Sequence, residues 1–248
     1  MKVDFLGTGT STGIPQIGCK CPVCVSDDER DKRTRASIII ETGDKRILID
    51  CGPDFRMQML NSGYHSLDAI LITHGHYDHV GGLDDIRPLG DTRVYAEHDV
   101  VKQIKRNMPY CFSDNPYPGV PLIQLIEITE KDFYVDDLKI TPIRVMHARL
   151  PILGFRIGKM AYLTDVKTID KTELEKLKNL DLLIINALRI KEHISHLSLQ
   201  EALEISETIG AKKTYFTHFS HDLGKHDDVE KILPQNTHLS YDRLQIIL

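Results

Sequence analysis

Residues 71–82 read LITHGHYDHVGG, which places His74, His76, Asp78 and His79 within six positions directly after an apolar run. In extended or turning backbone, alternate residues face the same side, so His74 and His76 share a direction. Gly75 between them leaves the chain free to bend. Asp78-His79 adds a second carboxylate–imidazole pair one turn later. Four such side chains crowd a single ion once further ligands join, so the pattern suits two adjacent ions. Imidazole combined with carboxylate favours zinc, manganese or iron over calcium. Further candidates each follow an apolar run: His147 after LKITPIRVM, Asp165 after AYLT and His218 after KKTYFT. Strand ends along one edge of a sheet gather in space even when they are distant in sequence.

A second group of metal-ligand type is CKCPVC, with Cys19, Cys21 and Cys24 in a loop at about residues 18–26. In a reducing compartment such crowding points to metal rather than disulfide. Thiolates at this spacing wrap a tetrahedral ion, usually a structural zinc, and need a fourth ligand. His221 in THFSHDLGKH is the best placed, three residues after His218, and His226 and His238 are rivals. Cys51 and Cys111 lack partner spacing and read as ordinary small residues.

These side chains need strand ends to carry them. Val3–Leu6, Ser37–Thr42, Arg46–Asp50, Asp68–Thr73 and Thr92–Ala96 read as strands, with a hairpin around Gly43-Asp44. Ile123–Ile128, Phe133–Val135, Leu138–Met146, Gly154–Ile157, Ala161–Thr164, Leu182–Ala187, Lys213–Thr217 and Arg243–Ile247 continue the series. Helices are expected over Pro53–Asn61, Glu97–Asn107, Asp170–Leu177, Ser198–Ile209 and Asp227–Leu233. Ser198 with Glu201 three residues on forms a capping box. Residues 111–121 hold three prolines and a glycine and read as a loop. No linker, repeat or low-complexity tract divides the chain, so residues 1–248 read as one α/β domain. Strands in two groups with helices interleaved suggest two sheets packed face to face with helices outside, an architecture that periodicity alone does not fix.

Composition narrows the partners. Of 248 residues, 41% are hydrophobic and 27% charged, enough for a core of ordinary size, and the net charge is −5. Without a basic block, a large nucleic-acid footprint is not expected. The N-terminus lacks a charged segment followed by a long apolar one, and no apolar stretch nears the roughly 18–20 residues of a membrane span. The expectation is a cytoplasmic chain with no membrane partner.

Asp50-Cys51-Gly52 after a strand, THGHYDHVGG, His147, Asp165 and His218 follow one another in an order that resembles the metallo-β-lactamase superfamily over nearly the whole chain. The resemblance implies an αββα sandwich with a binuclear centre at one edge. It implies His74, His76 and His147 as ligands of one ion, Asp78, His79 and His218 as ligands of the other, and Asp165 as the bridging carboxylate. Asp50 then supports the ligand loop. Metallo-β-lactamases proper carry cysteine or serine at the bridging position, so Asp165 turns the expectation toward phosphodiesters or thioesters.

His196 in HISHLSLQEALEI resembles the histidine of the phosphodiesterase branch, with His193 as its rival. An imidazole there can bond a phosphate oxygen or protonate a leaving oxygen. The cysteine cluster with a distal histidine, DFRMQML (54–60) and GLDDIRPL (82–89) resemble the group that opens phosphoribosyl 1,2-cyclic phosphate. The expected activity is hydrolysis of a small cyclic phosphodiester by a hydroxide bridging two Mn²⁺ or Zn²⁺ ions, with His196, Asp78 and Asp165 as catalytic residues. A transfer-RNA 3′-processing nuclease and a glyoxalase II-like thioesterase are the alternatives. A homodimer is implied by the resemblance alone.

Overall fold

The computed structural model describes residues 1–248 and shows two mixed sheets packed face to face with helices on their outer surfaces. The first sheet contains β1 (Lys2–Gly7), β2 (Ser37–Thr42), β3 (Lys45–Ile49), β4 (Ala69–Leu71), β5 (Thr92–Glu97) and β6 (Ile123–Ile128). The second contains β7 (Phe133–Val135), β8 (Leu138–His147), β9 (Leu150–Ile157), β10 (Met160–Leu163), β11 (Thr168–Ile169), β12 (Leu182–Asn186), β13 (Lys213–Thr217) and β14 (Thr237–Leu239). A last strand, β15 (Gln245–Ile247), returns to pair antiparallel with β1.

The central strands are apolar on both faces because both faces are covered. Along β2, Ile38 and Ile40 point into the space between the sheets, where they meet Ile49, Phe155 and Ile184. Ile39 points the other way, onto the outer helical layer with Leu48 and Ile70. This is the period-two alternation of a strand. The second sheet repeats the arrangement, with Leu183, Ile185 and Phe216 facing an outer helix.

Each half also holds parallel pairs, which need crossovers. In the first sheet β3, β4, β5 and β6 run parallel. They are linked by α1 (Phe55–Ser62), α2 (Tyr77–Val80) and α3 (His98–Asn107). In the second, β10, β12, β13 and β14 run parallel, linked by α4 (Lys171–Glu175), α5 (Leu199–Ile209) and α6 (His226–Glu230). The capping box at the start of α5 is present, with Ser198 and Glu201 reciprocally bonded. The C-terminal ends of both parallel sets open on the same edge of the sandwich.

Some boundaries differ from the sequence expectation. The first helix begins at Phe55 rather than Pro53, because Pro53-Asp54 is spent on a turn closed by Phe55 N donating to the Gly52 carbonyl. The last helix stops at Glu230, and β14 beyond it lies in THL, too short to read as a strand. β9 begins at Leu150, four residues earlier than expected, because the β8–β9 hairpin turns at Ala148-Arg149. No helix is long and apolar enough to cross a membrane.

Two glycines seat α2 on the loop after β3. Cys51 N donates to the His79 carbonyl at 2.8 Å, and Gly82 N donates to the Cys51 carbonyl at 2.9 Å. A Cβ on Gly82 would overlap the Gly52 carbonyl oxygen and Phe55 Cβ. Gly82→Ala should therefore cost about 1–3 kcal/mol through overpacking, read as a lowered urea midpoint. An unchanged midpoint would show that the two loops are not seated against each other.

Candidate metal centre

Strand ends from both sheets deliver the His and Asp side chains to one place. Asp50 follows β3, the HGHYDH turn follows β4, His147 ends β8, Asp165 follows β10 and His218 follows β13. Asp50, Asp165 and His218 all have positive φ, at 63°, 56° and 59°. Non-glycine residues rarely occupy that region, and strain of this kind clusters at functional sites. Here it turns each side chain off its strand and into the site.

The donor atoms converge in three overlapping groups: His74, His79 and Asp165; Asp78, His79 and His218; His147, Asp165 and His196. Within each, the ligand atoms lie within 4.8 Å of one another. Asp165 Oδ2 faces His79 Nε2 at 3.2 Å and His218 Nε2 at 3.3 Å. Its Oδ1 faces His196 Nε2 at 2.9 Å. His74 Nε2 is 3.0 Å from His76 Nδ1, and the His147 ring lies 5.2 Å from that of His76. The other six residues expected to hold the pair of ions thus form one connected cluster with Asp165, His76 joining it through His74 and His147.

Neighbouring groups fix the imidazoles. Asp50 Oδ2 accepts from His79 Nδ1 at 2.7 Å, which directs Nε2 into the site. Thr73 Oγ1 donates to Asp50 and lies 3.0 Å from His74 Nδ1. His147 Nδ1 donates to the carbonyls of Asp165 and Ser195, at 3.0 and 2.9 Å, leaving Nε2 free. Gln103 donates its side-chain amide to the Gly75 carbonyl between His74 and His76. Asn186 Oδ1 accepts from Val166 N at 2.6 Å and so holds the chain just after Asp165. Thr73 and Asp50 adjoin the motif and are legible from it, whereas Gln103 and Asn186 carry no sequence signal.

The electrostatics are those of a site built for cations. Burial would raise the carboxyl pKa of Asp165 and Asp78, but facing imidazoles overcome it and hold both well below the usual carboxylate range. Burial would lower His79, but Asp50 and Asp165 overcome it and hold its pKa well above the ordinary value. For His74, burial, with His79 beside it, outweighs the opposing pull of Asp165 and Asp78 and holds its pKa well below the ordinary value. Buried His79 Nε2 and His218 Nε2 have no hydrogen-bond partner, although they face carboxylate oxygens. Orphaned imidazole nitrogens aimed at acidic groups fit divalent ions, which would satisfy both.

The cysteines form a separate cluster. Sγ of Cys19, Cys21 and Cys24 lie 3.2, 3.3 and 3.5 Å from His221 Nδ1. A tetrahedron with zinc–sulfur bonds of about 2.3 Å and zinc–nitrogen bonds of about 2.0–2.1 Å has sulfur–nitrogen edges of about 3.5 Å. The Cys24 N–H and, after it, His221 draw the Cys21 thiol down to about 6 against burial. The rivals are engaged elsewhere: His226 Nδ1 accepts from Arg33, and His238 Nδ1 pairs with Glu230.

His196, not His193, is the histidine against Asp165. Ser195 Oγ and His193 Nδ1 flank its Nδ1 at 3.0 and 3.2 Å. Burial lowers the His196 pKa to about 4, against the opposing pull of Asp165. At neutral pH its imidazole is therefore an uncharged hydrogen-bond donor rather than a cation.

Residues 45–219 match the model of the beta-lactamase superfamily domain. The chain belongs to the beta-lactamase superfamily. It is similar to a crystal structure described as a new diphosphatase from the PhnP family, with 37% identity, a TM-score of 0.93, and coverage of 100% of this chain and 97% of that one. An octanoyltransferase of Porphyromonas gingivalis is 49% identical over 254 residues, covering 100% of this chain but 52% of that protein. The chain thus spans about half the length of that curated relative. Zn²⁺-bound PqqB from Methylobacterium extorquens, 20% identical, shares the fold over 100% of both chains with a TM-score of 0.83. The chain has the metallo-β-lactamase fold, and its structural neighbours include a PhnP-family diphosphatase and a Zn²⁺-bound PqqB.

His196 makes the metal-free protein sensitive to acid. An unfolded chain takes up the proton near pH 6.5, the folded chain only near 4. Stability contributed by the neutral imidazole is present above the unfolded value and is lost as pH falls from about 6.5 toward 4. In EDTA, the urea midpoint should drop across that window less steeply for His196→Gln than for the unaltered chain. Equal slopes would contradict the depressed pKa.

Proposed function

We propose that the protein is a binuclear metal-dependent phosphodiesterase acting on a small phosphodiester, cyclic ones such as phosphoribosyl 1,2-cyclic phosphate included. The observation that carries this reading is Asp165. Its carboxylate lies between the two imidazole sets and also receives His196. Similarity to the PhnP-family diphosphatase supports phosphoryl chemistry. In this reading His74, His76 and His147 would hold one ion, Asp78, His79 and His218 would hold the other, and Asp165 would serve both. Cys19, Cys21, Cys24 and His221 hold a structural zinc. Residues 1–248 would act as one catalytic unit that includes the cysteine loop.

When bound, Mn²⁺ or Zn²⁺ ions supply Lewis acidity, acidifying water and neutralising charge on phosphoryl oxygens. The chain supplies the rest. Asp50 holds His79 in the tautomer that presents Nε2, and the Asp165 and Ser195 carbonyls do the same for His147. His196 Nε2–H, resting on Asp165 Oδ1, is the donor available to a phosphoryl or leaving oxygen. Ser195 and His193 keep the opposite edge of that ring in place. Asp78 and Asp165 stay ionised and can accept a proton from attacking water.

The name of the Porphyromonas gingivalis relative favours an octanoyl thioester as a second substrate reading. That name belongs to a chain about twice as long, so the thioester reading ranks below the phosphodiester. RNA ranks lower still, given the net charge of −5.

The test is hydrolysis of bis(p-nitrophenyl) phosphate and five-membered cyclic ribose phosphates by Mn²⁺- or Zn²⁺-loaded protein, beside an octanoyl thioester. Asp165→Ala and His79→Ala should each lower kcat by at least about 10²–10³-fold, the scale for losing a preorganised electrostatic partner, with circular dichroism unchanged. Full activity in either variant would sink the assignment. Faster turnover of the thioester would replace the phosphodiester reading.

A further inference from the structure

The mechanism leaves a buried cation unused. Arg33 is 5% exposed and forms no salt bridge. Its Nη1 donates to Thr8 Oγ1 at 2.9 Å and to the Ser240 carbonyl at 2.6 Å, and its Nη2 donates to His226 Nδ1 at 3.2 Å. Asp242 makes no direct hydrogen bond to it but accepts from Thr8 Oγ1 at 2.7 Å and bears on the guanidinium electrostatically. The guanidinium carbon lies 4.4 Å from the centroid of the Phe219 ring. A desolvated cation over an aromatic face is a strong attachment, and a planar guanidinium suits it better than an ammonium.

Phe219 occupies a particular place. It follows His218, in the His/Asp cluster, and precedes His221, in the cysteine cluster, by two residues. The four-residue span His218–His221 therefore serves both clusters. It is clipped on each side: Phe219 N donates to the Thr8 carbonyl at 2.9 Å, Thr10 N to the Phe219 carbonyl at 2.8 Å, and Ser220 N to the Leu188 carbonyl at 2.9 Å. Within these clips His218 is held at φ 59°. Only Phe219 and Ser220 separate the ligand candidates of the two clusters along this fixed backbone.

We propose that Arg33 and Phe219 are positioning residues for both clusters, and that the span they hold couples the two sites. Filling the cysteine cluster tightens binding at the His/Asp cluster, and the reverse holds by the same factor, since coupling between bound states is reciprocal. The proposal rests on the ligand assignment made above but not on the identity of the substrate.

The experiment follows zinc alone, by plasma mass spectrometry during stripping with EDTA. The unaltered protein should hold zinc in both clusters. His221→Ala should lose the zinc of the cysteine cluster, and its remaining ions should leave about tenfold faster, the lower end of what outer-shell partners of a metal site contribute. Phe219→Leu keeps a buried apolar side chain and removes the aromatic face. It should release ions from both clusters about tenfold faster, and Arg33→Lys should do the same. Wild-type release from the His/Asp cluster in a folded His221→Ala or Phe219→Leu protein would overturn the coupling. If Phe219→Leu fails to fold, His221→Ala decides alone, because His221 is partly exposed at the edge of the fold. Zinc confined to the cysteine cluster in the unaltered protein would instead overturn the ligand assignment itself.

Discussion

Three carboxylates, Asp50, Asp78 and Asp165, lie close together with little or no contact with water. Anions do not stay charged in such a place unless cations or donors surround them. The imidazoles of His79 and His218 and the donors of Thr73 and Thr164 meet part of that demand. Buried nitrogens of His79 and His218 without a hydrogen-bond partner leave that demand incompletely met. The surrounding structure serves to hold this set of charges together.

That demand accounts for the shape of the sandwich edge. Parallel strands in each sheet end on the same side, so loops from two sheets meet over one volume. Three of the side chains they carry stand on left-handed backbone, a conformation that persists only where neighbours over-determine it. Those neighbours are visible: Cys51 N and Gly82 N lock the loop after β3 under α2, Asn186 braces the residue after Asp165, and Thr8 and Thr10 clamp the one after His218. Strain in the loops and rigidity in the strands belong to one arrangement.

Much of this was legible in the sequence because the relevant signals are local. HGHYDH after an apolar run announces its own chemistry, and CKCPVC does likewise. The α5 capping box could be read from Ser198 and Glu201 without any tertiary context. The αββα sandwich and the order of His147, Asp165 and His218 came through the family resemblance. Signals carried only by tertiary packing were lost. Gln103 looks like any surface glutamine on α3 until its amide is seen against Gly75. Arg33 looks like one of several charges in DERDKRTR, yet it is buried beneath Phe219. Helix ends also shifted where a turn or a short strand took residues that propensity alone assigned to a helix, as at Pro53 and beyond Glu230.

The central claim is that Asp165 lies between two ions while a third is held apart by thiolates. Anomalous X-ray diffraction at the zinc edge from zinc-loaded crystals tests it most directly. Two peaks should flank the Asp165 carboxylate, about 3.5–4 Å apart as in two-metal sites generally, with a third among Cys19, Cys21, Cys24 and His221. A single peak in the His/Asp cluster, or a pair that Asp165 does not span, would contradict it.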